Sequence, residues 1–167
     1  FAPLFALWQT AREANPSVND VSMRTRLCSK PAKHHPVHIL LLGRFFKGEQ
    51  NKGHVEAIRA FHLIKQSEPC VNVKLTLAGH VAQGQGSYLR KVRKLVKTSQ
   101  GVELILNLKA ERLRDVIRSA DIVWSITGLR DDVRLAPADS EHFGLGLLEC
   151  MSAGLVPIAV DKGGPAE

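Results

Sequence analysis

Between Val37 and Val160 five short apolar runs alternate with stretches of helical periodicity, and that alternation leaves few folds open. The runs are VHILLL (Val37 to Leu42), VKLTLAG (Val73 to Gly79), VELIL (Val102 to Leu106), DIVWSI (Asp121 to Ile126) and VPIAV (Val156 to Val160). Continuous apolar runs of this length suit strands buried on both faces. Helices are predicted at about His54 to Gln66, Tyr88 to Thr98, Glu111 to Ser119 and Gly144 to Ala153. In the first of them Val55, Ile58, Ala60, Phe61 and Leu63 are available for packing. Strands that alternate with helices build right-handed βαβ units around a parallel sheet. The expected architecture is therefore α/β, a doubly wound, Rossmann-like parallel sheet.

Such sheets place ligands at the carboxyl ends of their strands, in the βα loops. Three of those loops carry chemistry: Gly43 to Gly53, Thr127 to His142 and Asp161 to Glu167. All three are expected to open on one edge of the sheet and to form one site. The domain is expected over 37–167. Residues 1–36, broken by Asn15-Pro16-Ser17, Ser29-Lys30-Pro31 and His34-His35-Pro36, read as a linker with a short helix near Phe5 to Arg12. The first residue is Phe1 and the sequence stops just after a Gly-Gly turn, so the chain reads as a fragment lacking strands at its C-terminal end.

A chain of 167 residues, 44% of them hydrophobic, can bury a core for one domain. No apolar run approaches the ~20 residues needed to cross a bilayer. FAPLFALW is too short, and has no basic flank, for a signal peptide. Cys28, Cys70 and Cys150 are odd in number and widely spaced, which favours free thiols and a cytoplasmic location. The net charge of +7 is spread along the chain, with one dense patch, LRKVRKLVK (Leu89 to Lys97), on an amphipathic helix. That patch reads first as a solvated helix face and second as a peripheral contact with an anionic membrane surface. Nucleic acid is not expected, because no aromatic stacking residues accompany the charges.

GRFFKGEQNKG has P-loop glycine spacing, but Glu49-Gln50 stand where a Walker loop needs Lys-Ser/Thr. No GxGxxG follows the first strand, against a dinucleotide-dependent dehydrogenase. Arg44 at the strand tip and Lys52 before the next helix remain as cations able to clamp a diphosphate. Glu141 and Glu149 flank Phe143-Gly144-Leu145-Gly146 at a helix start. Backbone N–H groups there can hold a phosphate, while the carboxylates accept hydrogen bonds from sugar hydroxyls. Within one helix the two acids would stand ~12 Å apart, too far for a hydrolytic pair. His34, His35 and His38 bracket a proline and present no helical metal face, so no metal site is expected. His142 reads as a packing or capping residue, and no Ser-His-Asp or Cys-His nucleophile arrangement can be made out.

The combination GRFFKGEQNKGH, LTLAG, ADIVWSITG and EHFGLGLLECMSAGLVPIAVDKGGPAE resembles the C-terminal half of group 1 (family 4) glycosyltransferases, enzymes of the two-domain GT-B fold. The resemblance covers about Val37 to Glu167. It implies a retaining transfer of sugar from a nucleoside diphosphate sugar, with no further cofactor, to an acceptor that this half does not identify. By the same resemblance Arg44, Lys52 and Glu141 are catalytic: Arg44 and Lys52 bind the donor diphosphate and offset leaving-group charge, and Glu141 contacts the donor sugar and supports the reacting centre. Gly43 and the backbone of Phe143, Gly144 and Leu145 approach the donor, and Glu149 binds the ribose hydroxyls. The stretch Trp124 to Gly128 flanks the base. Where relatives often carry a glycine after the third strand, this chain has Asn107. The alternative from the binding class is a non-catalytic nucleotide- or nucleotide-sugar-binding domain.

Overall fold

The computed structural model describes residues 35–48, 51–129 and 141–166. The linker and short helix expected before residue 35, the pair Glu49-Gln50, most of the loop after Thr127 and the terminal Glu167 lie outside the described residues.

Five strands form one parallel sheet: β1 (Val37–Leu42), β2 (Val73–Gly79), β3 (Val102–Leu106), β4 (Ile122–Ser125) and β5 (Val156–Ala159), in the order β3-β2-β1-β4-β5. Four helices connect them: α1 (His54–Ser67), α2 (Gly86–Lys97), α3 (Ala110–Arg118) and α4 (Leu145–Ser152). The five strands and four helices expected between Val37 and Val160 are all present, with ends moved by no more than about two residues.

The sheet is wound on both faces because its strands send alternate side chains to opposite sides. Ile39 and Leu41 of β1 pack with Val55, Ile58 and Phe61 of α1 and with Leu89 and Val92 of α2. Leu40 faces the other way, into a cluster with Ile117 of α3, Val123 and Cys150 of α4. The buried stripe of α1 runs through His54, Val55, Ala57, Ile58 and Phe61. Leu63, expected to pack, is instead 62% exposed. At 100° per residue it falls on the outer side with Arg59, away from the stripe.

The carboxyl edge has little room for side chains. A Cβ on Gly79 would lie 1.8 Å from the Gly43 carbonyl oxygen, so β1 and β2 leave the sheet in contact that only glycine permits. Asn107, after β3, has φ 54°, the one non-glycine residue at positive φ among those described. This is the left-handed conformation asparagine tolerates better than most residues. Its side-chain oxygen accepts the Val81 N–H at 3.2 Å.

The amphipathic reading of α2 holds. Tyr88, Leu89 and Val92 are buried, while Arg90, Lys91, Arg93, Lys94 and Lys97 stand in solvent. Cys70 and Cys150 are free thiols, and burial pushes the Cys150 thiol up to about 11. Among the described residues no helix is long and apolar enough to cross a membrane.

Candidate functional site

Chain direction reverses its progress across the sheet between β1 and β4: from β1 it moves outward through β2 to β3, then returns to add β4 and β5 on the other side. The βα loops that follow β1 and β4 therefore part in opposite directions and leave a crevice at the carboxyl edge. A cleft of about 380 Å³ lies there, lined by residues 41–44, Lys52, residues 123–127 and residues 141–147.

Two charged side chains from loops 89 positions apart meet in it. The Lys52 ammonium donates to Glu141 Oε2, and each side chain is less than one-fifth exposed. The Lys52 stem lies across Gly43, where an added Cβ would come 2.5 Å from Lys52 Cγ. Gly43 is thus the space through which the lysine reaches the cleft. Glu141 is held by more than the lysine: Oε2 accepts the Thr127 hydroxyl at 3.3 Å and Oε1 the Gly144 N–H at 3.3 Å. Burial alone would raise this carboxyl. The hydrogen bond and charge of Lys52, then Gly144 and Thr127, outweigh it and keep Glu141 below its ordinary value.

Gly144 starts α4 in the left-handed conformation, φ 65°, and its carbonyl accepts the first helical N–H, from Leu148, at 3.0 Å. Phe143 and Leu145 on either side are 75% and 66% exposed, an apolar lip at the mouth of the cleft. Arg44 stands exposed on the rim with its guanidinium 5.5 Å from the Phe46 ring centre, a cation–π contact that steadies a long side chain.

Of the residues singled out from sequence, Gly43, Arg44, Lys52, Glu141, Phe143, Gly144 and Leu145 come together around this cleft, as do Trp124 to Thr127. Glu149 stands exposed on α4, one turn beyond Leu145, outside the cleft lining. The loop after β5 braces the site from behind. The Gly164 N–H bonds to the Glu141 carbonyl at 2.8 Å, and Lys162 Nζ donates to the Gly128 carbonyl at 3.3 Å. A Cβ on Gly164 would lie 2.3 Å from the His142 carbonyl oxygen, so this brace also requires glycine. His142 lines the cleft and is exposed.

Sequence reasoning did not single out Asn51, His54 or Tyr88. Asn51 Oδ1 accepts the N–H of Gly53 at 2.9 Å and the hydroxyl of Tyr88 at 3.3 Å. His54 is fully buried, stacked on Phe45 at 3.9 Å between ring centres and 21° between planes. Burial is the main cause that pushes its imidazole down to about 4; the Gly43 backbone opposes this and the Lys52 charge adds to it. The signal available was the triplet Lys52-Gly53-His54, a histidine on the first turn of a helix otherwise rich in apolar residues. Among the described residues no cluster of three or more His, Cys, Asp or Glu side chains could hold a metal ion.

Comparison with known proteins bears on the family and the fold. A mouse (Mus musculus) protein, the GDP-Man:Man(3)GlcNAc(2)-PP-Dol alpha-1,2-mannosyltransferase, is 29% identical over 141 residues, 78% of this chain but 25% of its own length. The chain thus spans about a quarter of that relative. A glycosyltransferase structure from Rickettsia africae superposes with a TM-score of 0.58 at 17% identity, over 92% of this chain and 36% of that one. The catalytic domain of starch synthase IV from Arabidopsis thaliana, bound to ADP and acarbose, superposes with a TM-score of 0.51 at 21% identity, over 87% and 26%. The family model of the glycosyl transferases group 1 matches residues 29–167, and the chain belongs to that family, carrying one half-domain of its GT-B fold.

Proposed function

We propose that this domain binds the donor of a retaining glycosyltransferase, a nucleoside diphosphate sugar, in the cleft between β1 and β4. The single observation that carries the reading is the meeting of Lys52 and Glu141 in that cleft, beside Arg44 and the start of α4. An ammonium, a guanidinium and the first N–H groups of a helix together suit the two phosphates. A carboxylate held ionised a few ångströms away suits sugar hydroxyls.

In transfer, the bond from the anomeric carbon to the diphosphate oxygen breaks and the acceptor hydroxyl oxygen bonds to that carbon. The hydroxyl proton leaves with the freed diphosphate. Negative charge grows on the diphosphate as the bond breaks, and Lys52 and Arg44 are fixed cations at that place. No further cofactor is needed for this role. Glu149, outside the lining, extends toward the ribose of a nucleotide longer than the cleft. The residues of this cleft do not identify the acceptor. The basic face of α2 suits an anionic membrane surface; binding to acidic vesicles that weakens with salt is its check.

The mannosyltransferase relative makes GDP the first nucleotide to try. Calorimetry on the complete protein with GDP, UDP and ADP, free and as sugar conjugates, should show one base bound tightly. Arg44→Ala and Lys52→Met should each weaken that binding and abolish most donor turnover. Undiminished binding and turnover in both variants would reject the site.

A further inference from the structure

Lys52 is bracketed by two residues whose positions are set from another helix. Tyr88, on the first turn of α2, points its hydroxyl at the start of α1, where Gly53 offers no side-chain cap. Asn51 Oδ1 can only accept, so the single Tyr88 proton goes to it, over 3.3 Å. The Tyr88 oxygen is then left to accept from His54 Nδ1, also at 3.3 Å. Asn51 in turn accepts the Gly53 N–H at 2.9 Å and holds Gly53 at φ 70°. Gly53 is pressed on Ile126 at the end of β4, where a Cβ would come 2.9 Å from the isoleucine side chain.

The histidine end of this chain is anchored as well. His54 stacks on Phe45, and Phe45 bridges to the loop after β2 through its N–H to the His80 carbonyl at 2.8 Å and its carbonyl from the Ala82 N–H at 3.2 Å. One side of the bracket thus fixes Asn51 and Gly53, and the other fixes the loop that holds Gly43 and Arg44. Lys52 lies between them.

We infer that Tyr88, Asn51 and His54 are positioning residues that set where the Lys52 ammonium stands against the diphosphate. This rests on the donor-site reading above. The cluster is also neutral at working pH. Burial pushes the Tyr88 phenol up to about 12, with the Glu56 charge adding and Asn51 and the α1 backbone opposing. His54 is neutral for the opposite shift. No charge in the bracket competes with Lys52 for Glu141 or for an anion, so its effect is one of placement. Placement of a reacting or clamping group is worth much: a shift of ~1 Å can cost up to ~100-fold.

The test is a double-mutant cycle in the complete protein, read as calorimetric affinity for GDP, with UDP and ADP beside it. Tyr88→Phe removes one hydroxyl and keeps the ring in the core. It should weaken nucleotide binding about tenfold when Lys52 is present, and change it less than about twofold in a Lys52→Met background. Asn51→Leu, which removes the accepting oxygen and adds no charge, should weaken binding in the same Lys52-dependent way. An equal loss in both Lys52 backgrounds, or no loss at all from Tyr88→Phe, overturns the inference and leaves the donor site standing. Full affinity in Lys52→Met alone removes Lys52 from the site and overturns the inference; full affinity in both Lys52→Met and Arg44→Ala overturns the donor site as well.

Discussion

The two ends of the sheet each bury a histidine, and they use it differently. At the amino end His38 of β1 is 4% exposed, with Nδ1 donating to the Ser119 carbonyl at 2.7 Å and Nε2 accepting from the Thr76 hydroxyl at 2.8 Å. Its N–H meets Asp121 Oδ2 at 2.8 Å, and its carbonyl takes the Asp121 N–H at 2.9 Å. Every polar group there is matched inside the fold, across β1, β2 and the turn into β4. At the carboxyl end His54 belongs to a bracket around Lys52, and the charges it supports, Lys52 and Glu141, lie in the wall of a cleft. Polar groups at one end satisfy one another and hold strands in register. At the other end they are arranged so that two opposite charges face a cavity large enough for a ligand.

That contrast is broken most sharply at Lys52. Lys52→Met should lower kcat/KM for donor turnover in the complete protein by 10²–10³-fold, about 3–4 kcal/mol, the size found when one fixed charge-stabilising donor is lost. The melting temperature should fall only modestly, since Glu141 loses its cation but keeps the Thr127 hydroxyl and the Gly144 N–H. A loss of activity matched by a collapse in melting temperature would show that the carboxyl end serves stability as the amino end does.

The second prediction concerns pH. A denatured chain protonates its histidines near 6.5, whereas folded His54 stays neutral down to about 4. Between those values the unfolded state binds the extra proton, so stability falls as pH falls, by up to about 3 kcal/mol over the window from this group. His38, lowered chiefly by burial, adds to the fall with the same sign. Glu141, held below its ordinary value, contributes its own loss only below about pH 4.5. Urea unfolding followed from pH 7 to pH 4.5 should show this slope, and His54→Phe should flatten it. A slope unchanged by that substitution would mean that His54 is charged in the fold and that its burial is misread.

Next comes the amino end itself. His38→Leu keeps the volume but strands the Thr76 hydroxyl and the Ser119 carbonyl, at a cost of about 2 kcal/mol. The folded protein should still bind nucleotide as before, because the site lies at the other end of every strand. Denaturant midpoint and calorimetric affinity, measured on one preparation, separate the two. Weakened binding in a folded His38→Leu protein would tie the two ends together.

Much of this division could be read along the chain, and the part that could not has a physical reason. Apolar runs of five to seven residues between helical stretches decide a parallel sheet almost alone, because few other arrangements bury both faces of such strands. Arg44, Lys52 and Glu141 were placed by a general property of that sheet, that βα loops converge at its carboxyl edge. Leu63 was misassigned because a helix has one buried stripe and an apolar residue can stand off it. Tyr88 and Asn51 stayed hidden for a deeper reason. Their contact depends on how α2 docks on α1, which no period in either helix encodes, and the two are 37 residues apart. Gly79 and Gly164 were hidden in the same way, since what each makes room for is backbone from a distant loop.

The smallest expected effect tests where the site stops. Glu149 lies on the exposed part of α4, one turn from the cleft. A helix rises ~1.5 Å per residue, which sets Glu149 ~6 Å along the axis from Leu145. Such a carboxylate can meet the nucleoside while the phosphates sit at the helix start. It would do so in water, where a hydrogen bond to a charged group is worth about 1 kcal/mol net. Glu149→Gln should therefore weaken nucleoside diphosphate binding about fivefold, by that same amount, and leave the catalytic rate at saturating donor alone. Inorganic pyrophosphate, which lacks the ribose, should bind the variant and the parent equally. If pyrophosphate and nucleotide lose affinity together, Glu149 acts through the charge of α4 rather than through the ribose. If neither loses any, the functional end of the molecule ends at the cleft wall, and Glu149 belongs with the solvent-facing residues that surround it.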